Sequence, residues 1–122
     1  MSMISGLGGV IVYTTEQRYP AMRAFYVDVL GLSPRSDRPG FVNFELNEQR
    51  LTVTTHSQLV GANTDPLHVM INLVSSDAAA DHAAAVAAGA VSVRPPERES
   101  WGGIVATLQD PDNNFVQLLQ VP

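Results

Sequence analysis

The sequence predicts an α+β fold of two βαβββ repeats that pair into an eight-stranded open cup. Three observations carry it. Two helix signals each end at a glycine. Each is followed by β-rich runs joined through a dense turn. The order of elements then repeats at a period of about 60 residues. The chain of 122 residues suits one domain, 1–122, with repeats at about 5–58 and 66–121. A chain this size hides roughly two thirds of its unfolded surface, so one core is attainable without staples.

The elements follow in order. Gly9 to Thr14 alternates and reads as the first strand. Pro20 to Leu30 reads as a helix: Pro20 suits the first turn, and Met22, Phe25, Tyr26, Val29 and Leu30 fall on one apolar face. Gly31 ends it. Phe41 to Leu46 and Arg50 to Thr55 flank Asn47-Glu48-Gln49 as a hairpin. Leu67 to Val74 reads as the strand that opens the second repeat. Ala78 to Ala88 follows as a helix, with Asp77 at its N-cap and Gly89 beyond its end. Val86 is its one large apolar residue, and its small side chains let it lie close to a sheet. Gly103 to Gln109 and Phe115 to Val121 flank the turn cluster Asp110-Pro111-Asp112-Asn113-Asn114. Between the halves, Gly9-Val10-Ile11 aligns with His68-Val69-Met70, and Gly31 with Gly89.

Composition narrows the chemistry. Cysteine is absent, which excludes disulfides, thiolate metal sites and thiol nucleophiles. All seven basic residues are arginine, so no lysine is present for a Schiff base. The net charge of −5 argues against nucleic acid and mildly favours a cationic or neutral ligand. No apolar run approaches the ~18 residues of a membrane span, and Met1 to Gly9 lacks a signal-peptide pattern. No membrane partner and a cytoplasmic location are expected.

Three segments, Phe25-Tyr26-Val27-Asp28-Val29-Leu30-Gly31-Leu32, Trp101-Gly102-Gly103 and Asp110 to Leu118, together resemble the vicinal-oxygen-chelate (VOC) superfamily. That superfamily includes glyoxalase I, bleomycin resistance proteins and extradiol dioxygenases. The resemblance implies a divalent metal held in the cup by residues on the first, fourth, fifth and eighth strands. The metal acts there as a Lewis acid toward two vicinal oxygens. The corresponding positions in this chain are Gly9, Thr52, His68 and Gln117. Only His68 and Gln117 can ligate, and both family carboxylates are missing, so no metal or other cofactor is expected. A divalent metal remains the alternative. His56 lies four residues beyond Thr52, roughly 13 Å along an extended strand, and does not complete the set. His82 falls on the Ala-rich helix, outside the cup.

Strand alternation names the residues that share the cup face: Tyr13, Thr52, Thr54, His56, His68, Met70, Asn72 and Gln117, with Trp101 at a rim. They make a mixed wall of apolar and neutral hydrogen-bonding groups that suits a small organic ligand. The resemblance implies a homodimer of the bleomycin-resistance type that sequesters its ligand. One alternative is an enzyme, a metal-dependent glyoxalase-like lyase or isomerase or a ring-cleaving dioxygenase, with His68 as the best catalytic candidate. Another is a non-catalytic interaction subunit that keeps the fold alone. Thr54-Thr55-His56-Ser57 is not read as a Ser–His pair, because strand neighbours face opposite ways and no acid orients the imidazole. Asp110 and Asp112 are read as turn residues rather than calcium ligands.

Overall fold

In the computed structural model, which describes residues 2–122, the strand–helix–three-strand order occurs twice. The first half is β1 (Gly9–Thr14), α1 (Tyr19–Ala24), β2 (Ser36–Arg38), β3 (Phe41–Leu46) and β4 (Gln49–Thr55). The second is β5 (Ile71–Val74), α2 (Ala78–Ala87), β6 (Val91–Arg98), β7 (Ile104–Gln109) and β8 (Phe115–Gln120). The expected eight strands form two four-stranded sheets of matching order, β1-β4-β3-β2 and β5-β8-β7-β6. In each, the first and last strands of the half pair in parallel and the rest are antiparallel.

Alternation divides each sheet into two faces. Val12, Val42, Phe44, Leu51 and Val53 turn toward the helices and join Met22, Phe25 and Tyr26 in the core. Ile71, Ala106, Leu108, Val116 and Leu118 do the same in the second half, and one cluster includes both sets. On the opposite, open faces Ile11, Tyr13 and Val74 are exposed.

α1 departs from the expected single helix. After Ala24 it continues as a π-helical turn, Phe25–Val29, closed by the Leu30 amide donating to the Phe25 carbonyl. The wider turn keeps Phe25 and Tyr26 buried, with Val29 and Leu30 packed at the edge of the core. α2 is capped as the sequence predicts: Asp77 Oδ1 accepts from the Ala80 amide at 3.0 Å. Its buried residues are Ala78 and Ala85, however, while Val86 is turned outward. Methyl groups, not the single valine, face the sheet, which allows a close approach.

The Asp110-Pro111-Asp112-Asn113-Asn114 turn joins the halves. Asp110 Oδ1 accepts from the amides of Asp112 and Asn114, and Oδ2 accepts from Asn114 Nδ2, each at 2.9 Å. The Tyr26 hydroxyl donates to Oδ2 at 2.7 Å, tying the first half's helix to the second half's turn. Burial pushes the Asp110 carboxyl above its ordinary range, and the Tyr26 and Asn114 hydrogen bonds pull it back. Asn63 reaches the same turn through its amide to the Asp112 carbonyl and its Nδ2 to Asn114 Oδ1, both at 3.0 Å. No helix among the described residues is long and apolar enough to cross a membrane.

The second repeat begins later than its pattern predicts. Leu67 to Met70 are not strand; β5 starts at Ile71. The reason is a local turn: the His68 amide donates to the Asp65 carbonyl at 3.2 Å, and His68 Nδ1 lies 2.7 Å from Asp65 Oδ2. That turn uses up residues that an extended strand would have needed. β2 and β6, which the sequence reading implied by their count alone, are edge strands. β6 carries two register shifts, between Ser92 and Arg94 and between Arg94 and Glu97; the second spans Pro95-Pro96, which an edge strand tolerates.

Candidate functional site

The open faces are built row by row. In the first sheet Ile11 pairs with Thr52, which faces Asn43, which faces Ser36. In the second, Asn72 pairs with Gln117, which faces Thr107, which faces Arg94. Thr52 and Gln117 therefore hold equivalent places in the two sheets. Their neighbours align Ile11 with Asn72, and two residues earlier Gly9 with Met70. The alignment of Gly9 with His68 is thus corrected by two residues, because of the Asp65–His68 turn. Met70, not His68, occupies the position equivalent to the strand-one site.

The expected site residues separate into groups. Gln117 and Asn72 are brought together: Gln117 Nε2 donates to Asn72 Oδ1 at 3.0 Å. Tyr13 and His56 meet edge to face with ring centroids 5.0 Å apart. His56 Nδ1 also accepts from the Gln58 amide at 3.1 Å. Thr54 is spent locally, its hydroxyl donating to the Gly40 carbonyl at 2.9 Å. His68 stands apart with 82% of its side chain exposed. Trp101 is half-exposed, and its ring lies across Gly103: a Cβ there would stand 2.0 Å from Trp101 Cζ3. That contact gives the Trp101-Gly102-Gly103 motif a packing reason.

Alternation missed the second row's partners. Thr107 is buried beside Gln117. Beyond it Arg94 is held by Glu99 at 2.6 Å and Glu97 at 3.3 Å. Finding these needed the register, which no single strand reveals. Arg50 was within reach, since it is two residues before Thr52 and so shares its face.

Does this set fit a divalent ion? Gly9 has φ +141°, and a Cβ there would lie 2.1 Å from the Arg50 carbonyl oxygen. No side chain can stand at that position on this backbone. Thr52 offers a neutral hydroxyl, Gln117 an amide already bonded to Asn72, and His68 lies off the strand. Among the described residues no three His, Asp or Glu side chains gather as a ligand group. A 2+ ion would find no carboxylate to neutralise it, so the residues present do not fit the family's metal.

Two clefts flank the seam between β1 and β5. One, of about 630 Å³, is lined by residues of β1, β4 and β5 together with Leu32, Leu46 and Asn47. The other, of about 350 Å³, lies between Tyr13 and the segment containing Asn63, Asp65 and His68.

The fold is shared with solved structures. A glyoxalase/bleomycin resistance protein/dioxygenase family enzyme from Burkholderia phytofirmans is 21% identical, with a TM-score of 0.75 over 97% of this chain and 100% of that one. Lactoylglutathione lyase from Agrobacterium tumefaciens is 20% identical, with a TM-score of 0.73 over 96% and 94%. A putative glyoxalase family protein from Bacillus anthracis is 14% identical, with a TM-score of 0.77 over 100% and 99%. No curated protein matches the sequence significantly. The sequence profile of the glyoxalase-like domain matches residues 11–119, nearly the whole of the eight-stranded arrangement described above. The chain belongs to the glyoxalase-like domain family.

Proposed function

We propose that this protein binds a small organic ligand on its open sheet faces without a divalent metal, and holds that ligand rather than transforming it. The carrying observation is the Gln117–Asn72 amide pair, 3.0 Å apart, where the family would place an anionic metal ligand. The pair is exposed, and when a ligand covers it a neutral pair costs far less to desolvate than an unpaired carboxylate. Gly9 supports the reading, because its contact with the Arg50 carbonyl forbids a ligating side chain. Apolar side chains stand exposed on these faces, ready to be covered: Ile11 (56% exposed), Tyr13 (42%) and Val74 (74%). A homodimer belongs to this proposal, since a second copy would cover those residues and close the face.

The test is metal content of the purified protein, with thermal shifts against nickel, zinc, manganese and iron(II). A panel of aromatic metabolites and antibiotics is then screened the same way. The expected outcome is no stoichiometric metal, no ion-dependent shift, and an organic compound whose shift disappears in Gln117→Leu. A stoichiometric metal whose stabilisation is lost in His68→Ala or Gln117→Ala would overturn it. Binding at a hundred times the dissociation constant is worth ~2.7 kcal/mol, so the shift is easily read.

A further inference from the structure

The charge balance around the larger cleft is unlike that of the rest of the surface. Four of the seven arginines are committed to carboxylates: Arg18 to Asp112, Arg23 to Asp37, Arg35 to Glu45, and Arg94 to Glu97 and Glu99. Arg38 stacks on Phe41 at 4.2 Å, and Arg98 donates to the Gly102 carbonyl at 3.1 Å. Arg50 alone has no ion-pair, hydrogen-bond or stacking partner for its guanidinium among the described residues. Glu45 stands opposite it in the register, but its carboxylate is engaged by Arg35 at 3.7 Å. In a chain of net charge −5, an arginine left free is the exception.

Arg50 lines the cleft of about 630 Å³ between β1 and β5. The apolar walls are Val10, Leu32, Leu46, Leu51, Ile71 and Leu73, and the polar residues beside Arg50 are Asn47, Gln49 and Asn72. Asn72 also belongs to the Gln117–Asn72 pair, so the cleft and the proposed site share that residue, with the core-side Leu51 and Ile71 forming the cleft's inner wall. The volume lies within the ~300–1,000 Å³ of small-molecule pockets. One cation, flanked by amides at an apolar cleft, matches an apolar body carrying one anionic head.

We infer that the ligand is an apolar carboxylate, its body in the β1–β5 cleft and its carboxylate on the Arg50 guanidinium. This rests on the ligand-binding reading above and gives it a chemical class. The acidic surface does not oppose it at short range. Surface charges beyond a Debye length of ~8 Å are largely screened at physiological salt. A guanidinium grips a carboxylate through two parallel N–H bonds, which an alcohol or ammonium head cannot accept.

The experiment compares octanoate, 1-octanol and octylammonium by calorimetric titration of the full chain. Three variants accompany it: Arg50→Gln, Val74→Trp and Gln117→Leu. Octanoate is expected to bind about tenfold more tightly than 1-octanol, the size of one charge-assisted hydrogen bond. Arg50→Gln should reduce octanoate to the affinity of 1-octanol and leave 1-octanol unchanged. Val74→Trp, at an exposed position on the cleft wall, should block both. Equal binding of the three heads, or preference for octylammonium, overturns the inference. So does octanoate binding that survives Val74→Trp but is lost in Gln117→Leu, which would put the ligand on the open face beyond the cleft. If none of the three binds while a panel compound still shows a Gln117-dependent shift, this inference fails and the ligand-binding reading stands. If neither is seen, both fail.

Discussion

The Tyr26–Asp110 contact is the structure's sharpest energetic claim, and Tyr26→Phe tests it. Tyr26 is fully buried, and its hydroxyl is one of four donors to the Asp110 carboxylate. Removing it leaves Oδ2 with Asn114 Nδ2 alone. A hydrogen bond to a charged group is worth ~1.5–3 kcal/mol, so a loss of about 2 kcal/mol at neutral pH is expected. At ~2.1 cal/mol/K per residue the chain's unfolding entropy is about 0.26 kcal/mol/K, and Tm should fall by about 8 °C. The pH dependence gives a second reading. Burial raises Asp110 above its ordinary 3.8. Between 3.8 and that raised value the folded chain holds the extra proton, so the group's contribution to stability falls as pH rises through the window. The Tyr26 bond lowers the folded value, so Tyr26→Phe widens the window upward. The cost of the substitution is then greatest above the window and shrinks toward the ~1 kcal/mol of a neutral hydrogen bond below it. Urea unfolding from pH 3 to 8, with Asp110→Asn as the background in which the pH dependence vanishes, is the assay. A cost below ~0.5 kcal/mol at pH 7, or one that does not change with pH, would refute the reasoning.

Three further outcomes are expected. Thr14 is fully buried with an unpartnered hydroxyl, so Thr14→Val should stabilise the chain by about 1 kcal/mol in denaturant unfolding. Asn47 and Glu48 both have positive φ, 52° and 68°, the two-residue hairpin turn that favours glycine second. Glu48→Gly should therefore raise stability by ~0.5–1 kcal/mol, read as a higher denaturant midpoint at an unchanged slope. Gly9→Ala forces a Cβ to 2.1 Å from the Arg50 carbonyl oxygen at φ +141°. It should cost ~3 kcal/mol or more, and wild-type stability in that variant would show that the close approach is absent.

Most of the fold was legible because its signals are local. Pro20 and Gly31, Asp77 and Gly89, and the Asp110 to Asn114 turn punctuate the chain through backbone chemistry that needs no partner. Asn47-Glu48 marked its hairpin for the same reason. The misplaced features depend on competition between local and distant partners. Leu67 to Met70 is apolar enough for a strand, yet Asp65 captures the His68 amide and imidazole first. The π-helical turn at Phe25–Val29 leaves no composition signal, since the apolar stripe serves either winding. At the site, Thr52 and Gln117 came from the family resemblance, and alternation within each strand added the residues that share their face. The Thr107–Arg94 extension required knowing which strands pair and at what offset. Arg50 shared a face with Thr52 but was passed over, because its free charge is visible only once the other arginines find partners.

That two-residue offset can itself be put to work. The second half lacks a carboxylate at Gln117 and, by register, an imidazole at Met70, while native His68 lies in a turn ahead of β5. In this register Gln117→Glu alone gives a carboxylate with no imidazole in reach, and zinc or nickel should not stabilise it. Met70→His with Gln117→Glu sets one ligand on the residue that leads into β5 and the other on β8, at a diagonal separation of ~7–8 Å that a bridging ion can span. That double variant should gain an ion-dependent rise in Tm, and the gain should survive His68→Ala. If Gln117→Glu alone binds metal and His68→Ala abolishes it, His68 does reach the open face and the turn at Asp65 opens in solution. The same result would withdraw the ground for calling this chain's ligand site metal-free. Gly9 bounds the rebuilt centre in either case. No third side chain can be added from β1, so the affinity should remain that of a two-ligand site, well short of a complete family centre.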